Sequence, residues 1–213
     1  MKLKQALLGL AMIFAFAGAA GATVMEFPAQ IYDNQDVGQV YEANGFRLAT
    51  DATFIMMGCN DPVYCGSPSL MAADSTYQIP VAGATTTLTR TDGGLFTLNS
   101  IDLSEETFLG WDTSPFVVTF IGTLADNSMV YETLPVDGIF GPQTFTFDPT
   151  RFTDLVSVSW VQGTFNFPDS TAYHFANIDV TPLSSSAVPE PATMLLFASG
   201  ALGLAGVYRK RKN

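Results

Sequence analysis

Few side chains of this 213-residue chain could catalyse a reaction. A hydrolase triad needs a base beside its nucleophile, usually a histidine, and His174 is the only histidine. It alternates with Tyr173 and Phe175 in a stretch that favours a strand, and no serine or cysteine lies in a Gly-x-Ser-x-Gly setting. We therefore interpret His174 as an ordinary surface or edge histidine.

Glycosidases need only two carboxylates, so the acidic residues have to be weighed separately. Glu105 and Glu106, near Asp102 and Asp112, form the densest cluster, and the loop around them could line a cleft. Carboxylates that are adjacent in sequence are more typical of a solvated loop. The sequence thus predicts no catalytic residue and no enzyme, and a secreted glycan-active enzyme is the third functional hypothesis.

The metal-ligating residue types do not form a recognisable site. Two cysteines and one histidine do not fill a tetrahedral zinc site. The segment that begins at Asp33 is only superficially like an EF-hand loop, because Val37 and Asn44 would stand at its fifth and twelfth positions and neither is a carboxylate. No metal and no cofactor are predicted; a looser structural calcium site that uses Glu26, Asp33 or Asp36 stays open as an alternative.

The two tryptophans are candidate sugar contacts, because exposed aromatic rings stack on pyranose faces. Trp160 lies in the apolar stretch 158–161 and is expected in the core. Trp111 lies in a loop with Gly and Asp, residues 109–113, and is the better candidate for a ligand contact. The alternative is a loop residue folded back over the core. A carbohydrate-binding module is accordingly the second functional hypothesis.

The first 22 residues have the order of parts of a secretory signal peptide. Two lysines precede an apolar run over residues 6–17, and Ala20 and Ala22 supply the small side chains that signal peptidase requires. The run has about 12 residues, against about 20 for a spanning helix. We predict cleavage by signal peptidase before Thr23, the alternative being an uncleaved N-terminal anchor.

Three further parts follow a small polar linker at residues 184–187. The first is rigid and non-helical, because each proline fixes its own φ and disfavours helix in the residue before it. Its residues are Val188, Pro189, Glu190 and Pro191. Residues 192–208 are uncharged and apolar, which predicts a transmembrane helix about 25 Å long. The last part is basic and should stay cytoplasmic; it consists of Arg209, Lys210, Arg211 and Lys212.

This order of parts over residues 188–213 resembles the PEP-CTERM sorting signal that exosortase recognises. The resemblance implies that an exosortase in the inner membrane of a Gram-negative cell processes the tail near Pro189–Pro191. It further implies that the chain is anchored only transiently before its body reaches the cell surface or the extracellular polysaccharide. A plain tail anchor, kept for the life of the protein, is the alternative.

The body between the two ends is strongly acidic. From Thr23 to Pro189 it has three arginines against 19 acidic residues, a formal charge of −16. Such a body is repelled by phosphate backbones and anionic lipid, which excludes a nucleic-acid-binding function. Divalent cations or cation-bridged polysaccharide are the partners that its charge favours, the alternative being a solvated acidic surface with no specific partner.

Cys59 and Cys65 bracket five residues. In the oxidising compartment that an exported protein enters, this spacing favours a disulfide. Closing so short a loop contributes about 2 kcal/mol, so the bridge would fix a loop rather than the whole fold.

Strand signals dominate the body, and we predict one all-β domain over residues 23–183, an antiparallel β-sandwich. Hairpin turns are predicted at 91–94 and 125–128, and a bulge at Asn99-Ser100. The nine predicted strands are 45–50, 53–57, 85–90, 95–103, 116–124, 129–134, 143–147, 156–162 and 173–180.

Residues 94–103 and 173–180 resemble paired strands of the jelly-roll body found in many PEP-CTERM proteins, which is similar to jelly-roll carbohydrate-binding modules. In those modules an Asp of the last strand can support calcium, but Ala176 stands at that position, so calcium is not carried over. The resulting prediction is an exported, non-catalytic surface or matrix protein with a structural or adhesive role linked to exopolysaccharide.

Overall fold

The computed structural model describes residues 21–27, 35–36, 38–52, 55–59, 69–73, 81–105, 114–139, 141–164 and 170–183. At 35–36, 55–59 and 73 it describes the backbone only. All of these residues belong to the first of two units into which the chain divides, Met1–Leu183. The predicted signal peptide up to Ala20, the linker and the sorting tail lie outside the described residues.

Within the described residues the chain forms thirteen strands and no helix, and every strand pair is antiparallel. The strands are β1 Thr23–Met25, β2 Gln35–Asp36, β3 Val40–Ala43, β4 Phe46–Thr50, β5 Ile55–Cys59, β6 Ser69–Ala73, β7 Thr85–Arg90, β8 Phe96–Glu105, β9 Phe116–Leu124, β10 Met129–Val136, β11 Gln143–Thr146, β12 Leu155–Val161 and β13 Tyr173–Pro182.

The strands form two layers. One layer has the order β3-β4-β7-β12-β9-β10, and the other has the order β2-β5-β6-β13-β8-β11, with β1 also beside β13. A single residue pair, Leu155 opposite Phe96, joins β12 to β8 and makes the two layers one continuous sheet. The prediction of an all-β antiparallel sandwich is therefore confirmed at the level of its layers.

The core lies between the layers and is rich in aromatic rings. Alternate residues of each strand face inward, which follows from the two-residue period of a strand. Trp160 of β12 and Phe175 of β13 meet edge to face with ring centroids 5.1 Å apart, and Phe46 and Phe96 do so at 5.5 Å. Burial of each such side chain contributes about 2–3 kcal/mol, which makes these inter-layer contacts the main cohesion of the fold.

The nine predicted strands correspond to observed strands whose bounds differ by at most two residues. The predictions for β7 and β9 agree in both bounds. Four observed strands were not predicted. The two longest of these are β3 and β6, and Ser69–Ala73 contains no β-branched or aromatic residue, so sequence pattern gives no signal for it.

The predicted hairpin turn at 91–94 is wrong as a hairpin. The strands on either side of it, β7 and β8, lie in different layers, because β12 and β4 occupy the two sides of β7. The segment is a crossover. The turn at 125–128 does join a hairpin, β9 to β10, and Asn127 takes the left-handed conformation there with a φ of 66°.

The predicted bulge at Asn99-Ser100 is confirmed. Along β8, Ser100 pairs with Asp179 and Leu98 with Val180, which leaves Asn99 as an extra residue. A second bulge lies on the partner strand, where Ala176 pairs with Asp102 and the next pair is Asp179 with Ser100. The two central strands are thus irregular at the same level of the sheet.

In the part of the chain that the structure describes, no helix is long and apolar enough to span a membrane. The predicted transmembrane segment at 192–208 falls outside that part.

Candidate functional site

The two ends of the β-sandwich lie at the same end of one layer. Thr23 is the first residue of β1 and pairs with Val180, while β13 continues only to Pro182. Because the two strands are antiparallel, the start of β1 and the finish of β13 point the same way. The predicted signal-peptidase cut lies directly before β1, after the exposed Ala22, and stays a prediction.

The first strand is held on its other side as well. Met25 is completely buried, and the side-chain amide of Asn44 donates a 2.9 Å hydrogen bond to the carbonyl of Val24. Phe27 packs edge to face on Tyr41 with centroids 5.1 Å apart. The residues that follow the predicted cut are therefore part of the folded body.

The C-terminal end of the body's chain is fixed by Arg90. Its Nη1 donates hydrogen bonds of 2.8 Å to the carbonyls of both Leu95 and Leu183, and its Nη2 pairs with Asp92. The amide of Leu183 in turn donates to the carbonyl of Leu95 at 2.9 Å. Leu183 is the last described residue, so this contact set, the Arg90 clamp, fixes the body directly before the predicted linker.

All three arginines of the body are paired with acidic side chains. Arg47 lies 3.8 Å from Glu42 and Arg151 lies 3.1 Å from Glu132, in addition to the Arg90 pair.

The interpretation of Glu105 as part of a solvated loop is wrong. Glu105 is the last residue of β8 and is completely buried, and its Oε1 accepts a 3.1 Å hydrogen bond from the amide of Gly138. Its position opposite Tyr173 places it on the inward face of the strand. Glu106 and Asp112, the other members of the predicted cluster, lie outside the described residues.

The interpretation of His174 as a surface or edge histidine is also wrong. Only 2% of its surface is exposed, although it lies on the face of β13 that points away from the core. His174 pairs with Ser104, whereas the neighbouring Glu105 pairs with Tyr173. Adjacent positions of a strand point to opposite faces, so the fold separates His174 from Glu105 rather than joining them into an acid–base pair.

Asp102, which is near Glu105 and Glu106 in sequence, has a structural role at the paired bulges. Its Oδ1 accepts a hydrogen bond from Thr144 at 2.6 Å, and its Oδ2 accepts one from the amide of Asn177 at 2.7 Å. At the same pair of bulges, the side-chain amide of Asn99 donates a 3.1 Å hydrogen bond to the carboxylate of Asp179. These contacts were not foreseen; the only signal in the sequence was the slip in alternation at Asn99.

The core prediction for Trp160 is confirmed, since only 1% of it is exposed. Burial raises the pKa of its neighbour Tyr173, whose hydroxyl donates to the carbonyl of Val161 at 2.8 Å. Trp111, the predicted ligand contact, lies outside the described residues.

The calcium site and the disulfide stay predictions, because most of the side chains they involve lie outside the described ones. Glu26 is exposed, Asp33 lies outside the described residues, and only the backbone of Asp36 is described. Within the described ranges no three His, Cys, Asp or Glu side chains gather as a metal site would require. Cys59 is the last residue of β5, where only its backbone is described, and Cys65 lies in segment 60–68, outside the described residues.

Comparison with protein families finds the PEP-CTERM protein-sorting motif at residues 187–212. The predicted sorting signal at 188–213 is thereby confirmed, with Val188, Pro189, Glu190 and Pro191 inside the matched segment. The motif indicates export and sorting through the C-terminus. No curated protein matches the sequence.

Several solved structures resemble the chain distantly. A mutant of the family 29 carbohydrate-binding module CBM29-2 has 11% identity and a TM-score of 0.39, covering 76% of this chain and 91% of its own. Discoidin II of Dictyostelium discoideum has 12% identity and a TM-score of 0.37, covering 78% of this chain and 56% of its own. The family 32 module of C. perfringens NanJ, in complex with galactose, has 10% identity and a TM-score of 0.34, covering 75% and 92%. Similarities of this size carry no argument about the ligand of this chain.

Proposed function

We propose that this protein is an exported, non-catalytic component of the cell surface or extracellular matrix, released from the inner membrane by an exosortase. The observation that carries the proposal is the PEP-CTERM motif at 187–212, which begins four residues after Leu183, the last residue held by the Arg90 clamp. The motif therefore follows a body whose own contacts end just before it.

The arrangement of the body supports transient attachment to a single membrane. The leader precedes Thr23 and the sorting tail follows Leu183, and Thr23 and Leu183 lie at the same end of the layer that contains β1 and β13. A body tethered at that end can fold on the outer side while both apolar segments are still in the inner membrane. Cleavage of both tethers then frees it.

A structural or adhesive role linked to exopolysaccharide follows for the released body, which we assign to the jelly-roll-like sandwiches. Its charge of −16 keeps it soluble and away from anionic lipid.

Replacement of Pro189, Glu190 and Pro191 by alanines tests the proposal in cells that contain an exosortase. We expect the variant to accumulate in the inner-membrane fraction and the wild type to appear outside, as followed by immunoblot of cell fractions. The matched control changes the linker serines Ser184, Ser185 and Ser186 to alanine, which alters three residues of the same region and should leave release unchanged. Release of the Pro-Glu-Pro variant at the wild-type level would overturn the proposal.

A further inference from the structure

No charged side chain points outward from four neighbouring strands of one layer, although the same face continues into the Arg47–Glu42 pair on β4 and β3. Four consecutive strands of one layer, β7, β12, β9 and β10, present fourteen side chains on the side that faces away from the core, as their alternating burial shows. None of the fourteen is charged. Charged residues make up 14% of the whole chain, and they are missing from all fourteen of these positions. We call these fourteen positions the uncharged face.

Hydroxyl-bearing residues recur in register across the uncharged face. A row of four residues crosses the four strands through paired positions: Tyr131, Ile121, Ser159 and Thr87. The next row crosses them through Met129, Thr123, Ser157 and Thr89. Neighbours within a row are about 4.8 Å apart, and rows on the same face are about 6.7 Å apart, as the geometry of a sheet requires.

The hydroxyls on β7 and β12 have no side-chain hydrogen-bond partner among the described residues. Thr87, Thr89, Ser157 and Ser159 make no side-chain hydrogen bond to any residue that the structure describes. Each hydroxyl can both donate and accept, and so can every hydroxyl of a sugar.

Exposed apolar side chains flank the hydroxyls on β9 and β10. Half of Tyr131 is exposed, and Met129 and Val117 are more exposed still. The Tyr131 ring lies at the end of a row beside Ile121, where it can cover the apolar face of a sugar, while Ser159 and Thr87 farther along the row can bond to the hydroxyls of the next sugars. An apolar set of this kind next to an uncharged polar array is typical of a binding surface.

We infer that the uncharged face binds a neutral polysaccharide, whose chains lie flat across the rows. A second copy of this protein is disfavoured as the occupant, because it would bring two bodies of charge −16 together. A neutral polymer incurs no such repulsion. The inference rests on the proposed function, because export is what brings the uncharged face into contact with extracellular polysaccharide.

Affinity gel electrophoresis of the purified full chain in mild detergent tests the inference. The gels contain hydroxyethylcellulose, galactomannan or dextran as neutral polymers, and alginate as an anionic one. We expect at least one neutral polymer to slow the protein at least twofold, and alginate to have no effect.

Ser159→Glu and Thr87→Glu each place a carboxylate among the hydroxyls of the uncharged face, on β12 and β7, and should weaken binding at least tenfold. Thr146→Glu adds the same charge at an exposed strand position of the other layer and should stay within twofold of the wild type. Tyr131→Ala, at the sheet edge, should weaken binding at least fivefold. It replaces the glutamate variants in the test if they fail to fold. Near-UV circular dichroism, which reports the packing of the aromatic core, shows whether each variant is folded.

The inference is overturned if no neutral polymer slows the wild type, or if the glutamate and Tyr131→Ala variants that fold are slowed as much as the wild type. Self-association in sedimentation that Ser159→Glu abolishes, without polymer binding, would identify a second copy as the occupant instead. Release of the protein from cells is measured separately, so loss of polysaccharide binding with normal release rejects the binding face and leaves the proposed function in place.

Discussion

The side-chain amide of Asn177 donates a 2.7 Å hydrogen bond to Oδ2 of Asp102, across the two central strands β13 and β8. Asn177 is in the left-handed region, with a φ of 46°, where the second bulge lies. Asparagine is among the few residues other than glycine that tolerate this conformation. The contact thus joins the two bulged strands at the level where their regular pairing is interrupted.

Asn177→Ala should destabilise the protein by about 2–3 kcal/mol, because it loses the hydrogen bond and forces alanine into the left-handed region. Asn177→Gly is the matched control, since glycine takes that conformation freely and loses only the hydrogen bond. We expect it to cost about 1 kcal/mol, as measured by urea unfolding of both variants. Equal losses in the two variants would show that the backbone conformation contributes nothing.

Arg90→Ala should destabilise the body by about 2 kcal/mol, because its largely buried guanidinium donates to the carbonyls of Leu95 and Leu183. Hydrogen exchange at the Leu183 amide should also become faster. Arg47→Ala is the control, since the exposed pair of Arg47 with Glu42 contributes at most about 0.5 kcal/mol. A similar unfolding midpoint for both variants would contradict the Arg90 clamp.

Acid should weaken the fold through the turn carboxylates. The hydroxyl and the amide of Ser128 hold the pKa of Asp126 below its ordinary 3.8, and the hydroxyl and amide of Thr150 do the same for Asp148. A pKa lowered in the folded state gives stability that is fully present above pH 3.8 and is lost as the pH falls through the lower folded value.

The Asp126→Asn and Asp148→Asn double variant should therefore show a smaller loss of melting temperature between pH 5 and pH 2 than the wild type. Asparagine keeps an acceptor oxygen for each turn, so the variant should remain folded at pH 7. Parallel acid profiles for the two proteins would assign acid sensitivity to other groups.

Gly122→Ala should destabilise the protein by about 1–3 kcal/mol through overpacking. An added Cβ would lie 2.7 Å from Cδ2 of Leu155 and 2.8 Å from Cγ2 of Val130, inside the core beside β9. The backbone at Gly122 is not left-handed, so without the steric overlap alanine would be neutral or stabilising. A stabilised Gly122→Ala variant would therefore contradict the overpacking. Thr123→Ala, the next position but facing outward, should change stability by less than about 0.5 kcal/mol.

Mass spectrometry of the naturally released protein should find Thr23 at the N-terminus, a Cys59–Cys65 bridge and no residues 209–212. The expectation follows from the predicted signal-peptidase cut, the oxidising compartment and the sorting motif at 187–212. An intact basic tail on the surface protein would favour a permanent tail anchor.

Pattern in the sequence predicted the strands that have strong alternation, and it failed where tertiary contacts decide. The nine predicted strands agree to within two residues because β-branched and aromatic residues alternate in them. The segment 91–94 has the composition of a hairpin turn, yet it is a crossover between layers, because the partners of β7 come from distant parts of the chain. Turn composition does not specify which strands pair.

Burial of polar residues was the other failure. Glu105 was expected in a solvated loop because it is adjacent to another carboxylate, and His174 at the surface because it alternates with aromatic residues. Glu105 is buried because it lies on the core-facing side of β8, and His174 is buried although it lies on the outward face of β13; local sequence pattern shows neither.

The sequence by itself determined the all-β class, the acidic body and the sorting tail, because these depend on composition, short-range alternation and a linear order of parts. Only the tertiary structure decided that Thr23 and Leu183 lie at one end, and that uncharged residues of four separate strands form one face. Those relationships join positions far apart in the chain, and they arise from strand order and register, which local sequence pattern does not encode.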